Sequence, residues 1–169
     1  MPSLDVRAVS IRELRPEDWP AVCAIYEEGI GDGDATFETE TPSWERWDAA
    51  HPELRLVAER EGSVVGWAAL SPASARHCYR GVGEVSVYVT GQARGLGLGR
   101  ELLALLVERS ERAGYWTLTA GVFPENEASL RVHKACGFRE VGVRERIGET
   151  RGVWRDVIWL ERRSTVVGE

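Results

Sequence analysis

Long apolar runs are missing. No stretch approaches the roughly 20 consecutive apolar residues that a membrane-crossing helix requires, and the opening MPSLDVRAVS lacks the apolar core of a secretion signal. Cysteine is scarce too. Cys23, Cys78 and Cys136 are odd in number and form neither a CxxC pair nor a cluster with metal-ligand spacing, which argues against a disulfide scaffold and gives no reason to expect a metal. An excess of basic charge is also absent: Lys+Arg number 21 against 27 Asp+Glu, a net charge of -6. That balance opposes whole-domain attraction to phosphate backbones or anionic bilayers. The expectation is a cytoplasmic protein with neither nucleic acid nor membrane as a partner.

What is present suits one soluble domain over residues 1–169, with 43% hydrophobic and 28% charged residues. A strand over Val6 to Leu14 leads into a helix opened by Arg15-Pro16-Glu17-Asp18. The helix carries Trp19, Val22, Cys23 and Tyr26 at i, i+3, i+4 and i+7 and runs out at Gly29. A polar loop through Gly31-Asp32-Gly33-Asp34 holds Phe37, and Thr41-Pro42 resembles a cap and first residue for a short helix through Trp44 and Trp47. Leu54 to Arg60 and Val64 to Leu70 form a hairpin around Glu61-Gly62-Ser63. After a longer loop come a strand over Glu84 to Val89, a glycine-rich turn over Gln92 to Arg100, and a leucine-rich helix ending near Gly114. Trp116 to Phe123 reads as a strand, Asn126 to Cys136 as a helix, and two strands flank Gly148 to Gly152. The fold class is mixed α/β, closing on an antiparallel pair.

The unit that carries chemistry is the strand, glycine turn and helix between residues 84 and 113. Glycine lets backbone approach a ligand closely, and the amides of a first helical turn lack internal partners, so the turn is an anion site reinforced by the helix dipole. Arg94 and Arg100 flank it and can add charge-assisted bonds to phosphate oxygens. No Gly-Lys-Ser/Thr follows, which excludes a Walker A loop. A dinucleotide fingerprint is weakened because Arg100 stands three positions after Gly97, where a glycine is needed, although Glu125 lies near the place of a ribose acid.

Gln92-x-x-Gly95-x-Gly97 after a valine-rich strand resembles the acetyl-CoA-binding motif of the GNAT N-acetyltransferase superfamily, and Asn126 through Gly137-Phe138 resembles that family's next segment. Finer matches are similar to its phosphinothricin and methionine sulfoximine or sulfone acetyltransferase group. They are Ala35-Thr36-Phe37, Glu84 to Val89, Val132-His133 and Val153-Trp154-Arg155-Asp156-Val157. The resemblance implies a mixed, mostly antiparallel sheet with a splayed central strand pair, acetyl-CoA as cosubstrate, no metal and a homodimer.

It further implies site residues. Main-chain groups of Val87 and Val89, with Tyr88 between them, would face the pantetheine arm, and the Val87 N–H would meet the developing oxyanion. Amides of Arg94, Gly95, Leu96, Gly97, Leu98, Gly99 and Arg100 would hold the pyrophosphate. Glu84 is the expected general base, directly or through water, because an ammonium must lose a proton before it attacks. In the helix from Asn126, spacing places Ala128, Val132, Ala135 and Cys136 on an apolar stripe and Asn126, Ser129 and His133 on a CoA-facing side. His133 stands where the family usually has tyrosine, as the expected proton donor to the departing thiolate. The acceptor residues are Thr36, Phe37, Ser74, Ala75, Arg76, Glu84, Val85, Ser86, Trp154 and Asp156, with Arg76 the fork for an α-carboxylate.

Four functions remain in play. The first is acetyl transfer to the amine of a small amino acid or analogue. The second is acetylation of protein N-termini, which needs an open peptide groove. The others are a non-catalytic acyl-CoA sensor and a nucleotide-binding regulatory module.

Overall fold

Alternation along two central strands directs side chains to opposite sides of a sheet, and both sides are apolar. The computed structural model describes residues 8–169. In chain order its elements are β1 (Val9–Glu13), α1 (Trp19–Asp32), α2 (Trp44–Ala50), β2 (Arg55–Arg60), β3 (Ser63–Pro72), β4 (Val82–Val89), α3 (Leu98–Arg112), β5 (Thr117–Val122), α4 (Glu127–Ala135), β6 (Arg139–Thr150) and β7 (Val153–Arg163). Leu56, Ala58, Ala68 and Leu70 face one way, onto Leu102, Leu103 and Leu106 of α3. Val57, Trp67 and Ala69 face the other, onto Val22 and Ile25 of α1 and Trp47 of α2. Each buried Leu or Ile contributes about 1.5 to 3 kcal/mol by leaving water, so these two cores hold the helices to the sheet.

The seven strands run in the order β1-β2-β3-β4-β5-β7-β6. Every neighbouring pair is antiparallel except β4 and β5, which are parallel. Their ladder covers only Val82↔Thr117, Gly83↔Leu118 and Glu84↔Thr119. Beyond Glu84 they part, β5 continuing against β7 while the rest of β4 keeps β3 alone. The expected mixed sheet with a splayed pair is therefore what the chain forms.

Several boundaries differ from the sequence expectations. Of the first strand, residues 6 and 7 lie outside the described residues. Helix α1 passes Gly29 and closes at Gly33, whose N–H donates to Ile30 O at 3.2 Å. Gly29 serves packing instead of termination: a Cβ there would stand 2.7 Å from the Tyr88 ring. Helix α2 is capped by Ser43, whose Oγ accepts from Arg46 N, and not by Thr41. The start of α1 is pinned by Arg12, whose guanidinium grips both Asp18 oxygens at 2.7 and 2.8 Å. Among the described residues, no helix is long and apolar enough to cross a membrane.

Candidate active site

A cleft of about 1420 Å³ opens where β4 and β5 part. Its floor is the free side of β4, and hydrogen bonding shows which groups that side presents. Leu70, opposite Val85, donates its N–H to Leu54 on the β2 side, so Val85 turns its own N–H and carbonyl away from β3. Backbone direction alternates along a strand, so Val87 and Val89 do the same. Past the Glu84↔Thr119 pair β5 offers them no partner, leaving an edge without a strand partner inside the cleft, where among the described residues only Val89 O is met, by Arg94 Nε at 3.3 Å. The side chains of Val87 and Val89 pack in the α3 core, so it is their backbone that the cleft presents.

The glycine turn closes one end. Gly95 and Gly97 have φ of +78° and +80°, a region that costs other residues about 1 kcal/mol or more, and a Cβ at either would meet open space. Gly97 is the N-cap of α3 and has no side chain to satisfy the first amides, and the residues that carry those amides, Leu98, Gly99 and Arg100, line the cleft. Arg94, Gly95, Gly97, Leu98, Gly99 and Arg100 line the cleft, while Leu96 does not. The Arg94 guanidinium folds back onto Asp32 at 2.6 Å and Val89 O at 3.3 Å. A cradle of amides and an unpaired strand edge fits a pyrophosphate followed by an amide-bearing arm, which is the form of CoA.

Helix α4 forms a second wall, turned differently from its expected stripe. Ala128 and Ala135 are exposed, whereas Leu130, Val132 and Cys136 pack on the core. His133 is 5% exposed, edge-on to Phe138 at 5.2 Å. Its Nδ1 lies 2.7 Å from Ser129 O, and a carbonyl can only accept, so Nδ1 carries the proton. Burial pushes its pKa below the usual histidine range and the Ser129 bond resists that only in part, leaving a neutral ring near pH 7. That state suits packing better than the expected proton donation. Asn126 caps α4 by accepting from Ser129 N at 3.2 Å and donates to Asp34 O at 3.1 Å, so both ends of its amide hold structure.

The other end of the cleft is aromatic and carries Glu84. Thr36, Phe37, Glu84, Val85 and Ser86 all line it. Tyr88 sends its ring here, stacked on Trp67 at 4.7 Å and Tyr26 at 5.1 Å. Glu84 reaches solvent, but the walls remove enough water to push its carboxyl above the usual range, with Arg144 pulling the other way. Loop 33–37 covers this end. Arg155 fastens it by pairing with Asp34 at 2.8 Å and Glu125 at 3.1 Å, donating to Gly33 O at 2.8 Å and stacking on Phe123 at 3.9 Å.

Five expected acceptor residues are not brought to the cleft of this chain. Ser74, Ala75 and Arg76 lie in the exposed β3–β4 connection, with the Arg76 guanidinium 5.3 Å from the Tyr79 ring. Trp154 is 63% exposed at the β6–β7 turn. Asp156 accepts from Arg146 N at 2.7 Å and so pins a bulge. The physical reason is shared: proximity in sequence to Glu84 or to the hairpin tip does not decide which face a strand presents. Sequence reading missed Tyr26, Trp67, Trp159 and Arg144 on the cleft wall. Period-two alternation from Glu84 through Ser86 to Tyr88 could have signalled the aromatic face.

A splayed parallel pair joined to a glycine-capped helix defines a CoA-thioester acyltransferase architecture. The model of the acetyltransferase (GNAT) family matches residues 9–138, and the chain belongs to that family. It is an acetyl-CoA-dependent N-acetyltransferase. Among curated relatives, the phosphinothricin N-acetyltransferase of Alcaligenes faecalis is 37% identical over 92% of this chain and 82% of its own. The L-methionine sulfoximine/L-methionine sulfone acetyltransferase of Pseudomonas aeruginosa PAO1 is 31% identical over 91% and 94%. Among solved structures, a phosphinothricin acetyltransferase from Sinorhizobium meliloti in complex with acetyl-CoA superposes with a TM-score of 0.84 at 30% identity, covering 92% of this chain and 88% of that one. A ribosomal-protein-alanine N-acetyltransferase from Brucella melitensis superposes with a TM-score of 0.85 at 34% identity, covering 92% and 99%.

Proposed function

We propose that the chain acetylates the amino group of a small amino-acid analogue of the phosphinothricin or methionine sulfone type, with Glu84 as general base. The observation that carries this reading is that one cleft holds the Val87–Val89 edge without a strand partner, the glycine turn and a carboxylate of raised pKa. When bound, acetyl-CoA would supply the thioester carbonyl that the amine attacks, the new N–C bond replacing the C–S bond as CoA leaves as a thiolate that takes a proton from water. Val87 offers a fixed N–H to the oxygen on which charge develops, worth about 3 to 4 kcal/mol in the transition state. Glu84 takes a proton from the incoming ammonium, and its raised pKa narrows the gap to the amine it deprotonates. The aromatic walls exclude water and so lengthen the reach of both effects.

Loop 33–37 favours a small acceptor over a polypeptide, because Arg155 and Asn126 fasten it across the end of the cleft that a peptide would need open. Release of CoA thiol tests the reading, with methionine sulfone, methionine sulfoximine, phosphinothricin, other amino acids and short peptides as acceptors. Turnover with the amino-acid analogues and little with peptides is expected; the reverse order would assign the chain to protein N-termini. No thiol release with any acceptor, together with CoA binding, would make it a sensor.

The same reading includes a cytoplasmic homodimer. Val141, Val143, Ile147, Val153 and Trp154 are 47 to 63% exposed along the β6–β7 hairpin, which suits a covered surface. Light scattering should give twice the 18.8 kDa chain mass.

A further inference from the structure

The end of α1 is built against its own helix. Glu27 to Asp32, which close it, hold three acids and no base, although carboxylates near a helix C-terminus face the negative end of the dipole. Two of these acids instead serve the segment that follows β4. Glu28 accepts from Gly91 N at 2.9 Å and from Thr90 Oγ1 at 3.3 Å. One helical turn later on the same side, Asp32 pairs with the Arg94 guanidinium at 2.6 Å. The two contacts act on different things. Glu28 fixes backbone, because Gly91 belongs to the short turn that the Arg94 N–H closes by donating to Gly91 O at 3.4 Å. Asp32 fixes a side chain that is otherwise free to move.

That side chain lies on the edge of β4 that CoA would use. Thr90 donates its N–H to Val65 O on β3 at 2.9 Å, and the carbonyl of the same trans peptide, Val89 O, points the opposite way, into the cleft. Arg94 Nε meets this carbonyl at 3.3 Å while Nη2 stays on Asp32. Val89, Arg94 and Asp32 all line the cleft. A guanidinium is planar, so a carboxylate that holds one edge also fixes where the remaining donors point. Held in this way, Arg94 takes an acceptor that an amide N–H of the CoA arm would use, and fills the space before it.

We propose that Asp32 is a positioning residue that sets CoA affinity: it holds Arg94 against the Val89 carbonyl, and the arm of CoA competes with Arg94 for that acceptor. The inference rests on the reading of this cleft as the CoA site and gives that site a competitor of its own. Because Glu28 anchors the backbone, the exchange requires only the Arg94 side chain to move. Product CoA carries the same arm as acetyl-CoA, so the contact opposes both and favours product release.

Calorimetric titration with CoA tests this in wild type, Asp32→Asn and Asp32→Glu, and again in an Arg94→Met background. Asparagine keeps the size and loses the charge that holds the guanidinium. Because Asp32 and Arg94 are each about half exposed, Asp32→Asn should tighten CoA binding about 2- to 5-fold. Glutamate keeps the charge and should restore much of the wild-type affinity. In Arg94→Met the asparagine substitution should change Kd little, because no guanidinium remains to be held. A second ligand, 3′-phospho-ADP, is the nucleotide part of CoA without the arm, and Asp32→Asn should leave its Kd unchanged. A CoA Kd that is unchanged or weakened in Asp32→Asn overturns the proposal. So does a gain that persists in Arg94→Met or is equal with 3′-phospho-ADP, since Asp32 would then act on the phosphates by charge alone. A wild type that binds no CoA refutes the reading of the cleft and the proposal with it, whereas unchanged affinity in Asp32→Asn refutes the proposal alone.

Discussion

Replacing Glu84 by glutamine should cut turnover and raise stability together. The carboxyl stands at the last residue of β4 paired with β5, where the two strands part, and its pKa is raised because the cleft removes water from it. As base it must be ionised, so the acid limb of the wild-type kcat/KM profile should lie above the ordinary carboxylate range, and activity should fall as pH drops through it. Glutamine keeps the shape and loses the base, which should lower kcat by about 10² to 10⁴. The effect on stability has the opposite sign. A pKa raised on folding stabilises the folded chain below the unfolded value, and that contribution is lost as pH rises through the folded value. At neutral pH the native chain therefore holds an ionised carboxylate it would hold more easily unfolded, and Glu84→Gln should melt higher than wild type, with the difference shrinking toward acid. Stopped-time thiol release across pH and melting at matched pH measure both. Wild-type turnover in Glu84→Gln across the whole range would refute the assignment of the base, and a melting temperature lowered at neutral pH would refute the electrostatics.

Other outcomes follow from contacts around the cleft. His133→Phe should keep turnover within about tenfold, since a buried neutral ring whose Nδ1–H serves Ser129 is a poor acid; a loss of 10² or more would restore the donor role. Arg155→Gln should release loop 33–37 and lower kcat/KM for the acceptor about 10- to 100-fold while leaving the CoA Kd unchanged; an equal loss in CoA affinity would mean that the latch supports the whole cleft. Asp18→Asn should cost about 2 to 3 kcal/mol in denaturant unfolding, because the side chain is only 10% exposed and holds both Arg12 and Arg15 N. Arg12 holds the Asp18 carboxyl below its usual range, as Arg162 does for Glu111. Wild-type stability should thus decline as pH falls below about 4 toward the folded values, and Asp18→Asn should show a shallower decline.

Features written in neighbouring residues were legible. The Gln92 to Arg100 turn, the β2–β3 hairpin and the leucine face of α3 each depend on local backbone geometry and a single period, and all formed as expected. A role for the Val87 and Val89 backbone came from family resemblance, and the Leu70 hydrogen bond turns that backbone away from β3, toward the side on which β5 departs. What failed depends on strands distant in sequence. Arg76 and Arg144 are both arginines near turns, and only the order β4-β5-β7-β6 with its bulge puts Arg144, and not Arg76, on the Glu84 cleft. His133 shares a helix side with Ser129 and Asn126, and all three line the cleft as that spacing implied; what the spacing did not carry is the edge-on packing of Phe138 and the burial of the ring. Charge and spacing were the same in either case; packing decided.

Everything proposed for this chain requires that the turn at Gly95 and Gly97 hold CoA, and thermal melting with and without CoA tests that most directly. At a CoA concentration about 100 times Kd, mass action adds about 2.7 kcal/mol, which for a domain of this size raises Tm by about 5 to 10 °C. ATP and NAD at the same concentration should raise it far less. Gly97→Asp places a side chain in open space at φ +80°, so it leaves the protein's own packing intact but sets a negative charge against the pyrophosphate. Gly97→Asn adopts that φ without the charge and controls for strain. The account predicts a full shift in wild type, a reduced one in Gly97→Asn and none in Gly97→Asp. A full CoA shift in a folded Gly97→Asp protein would contradict it.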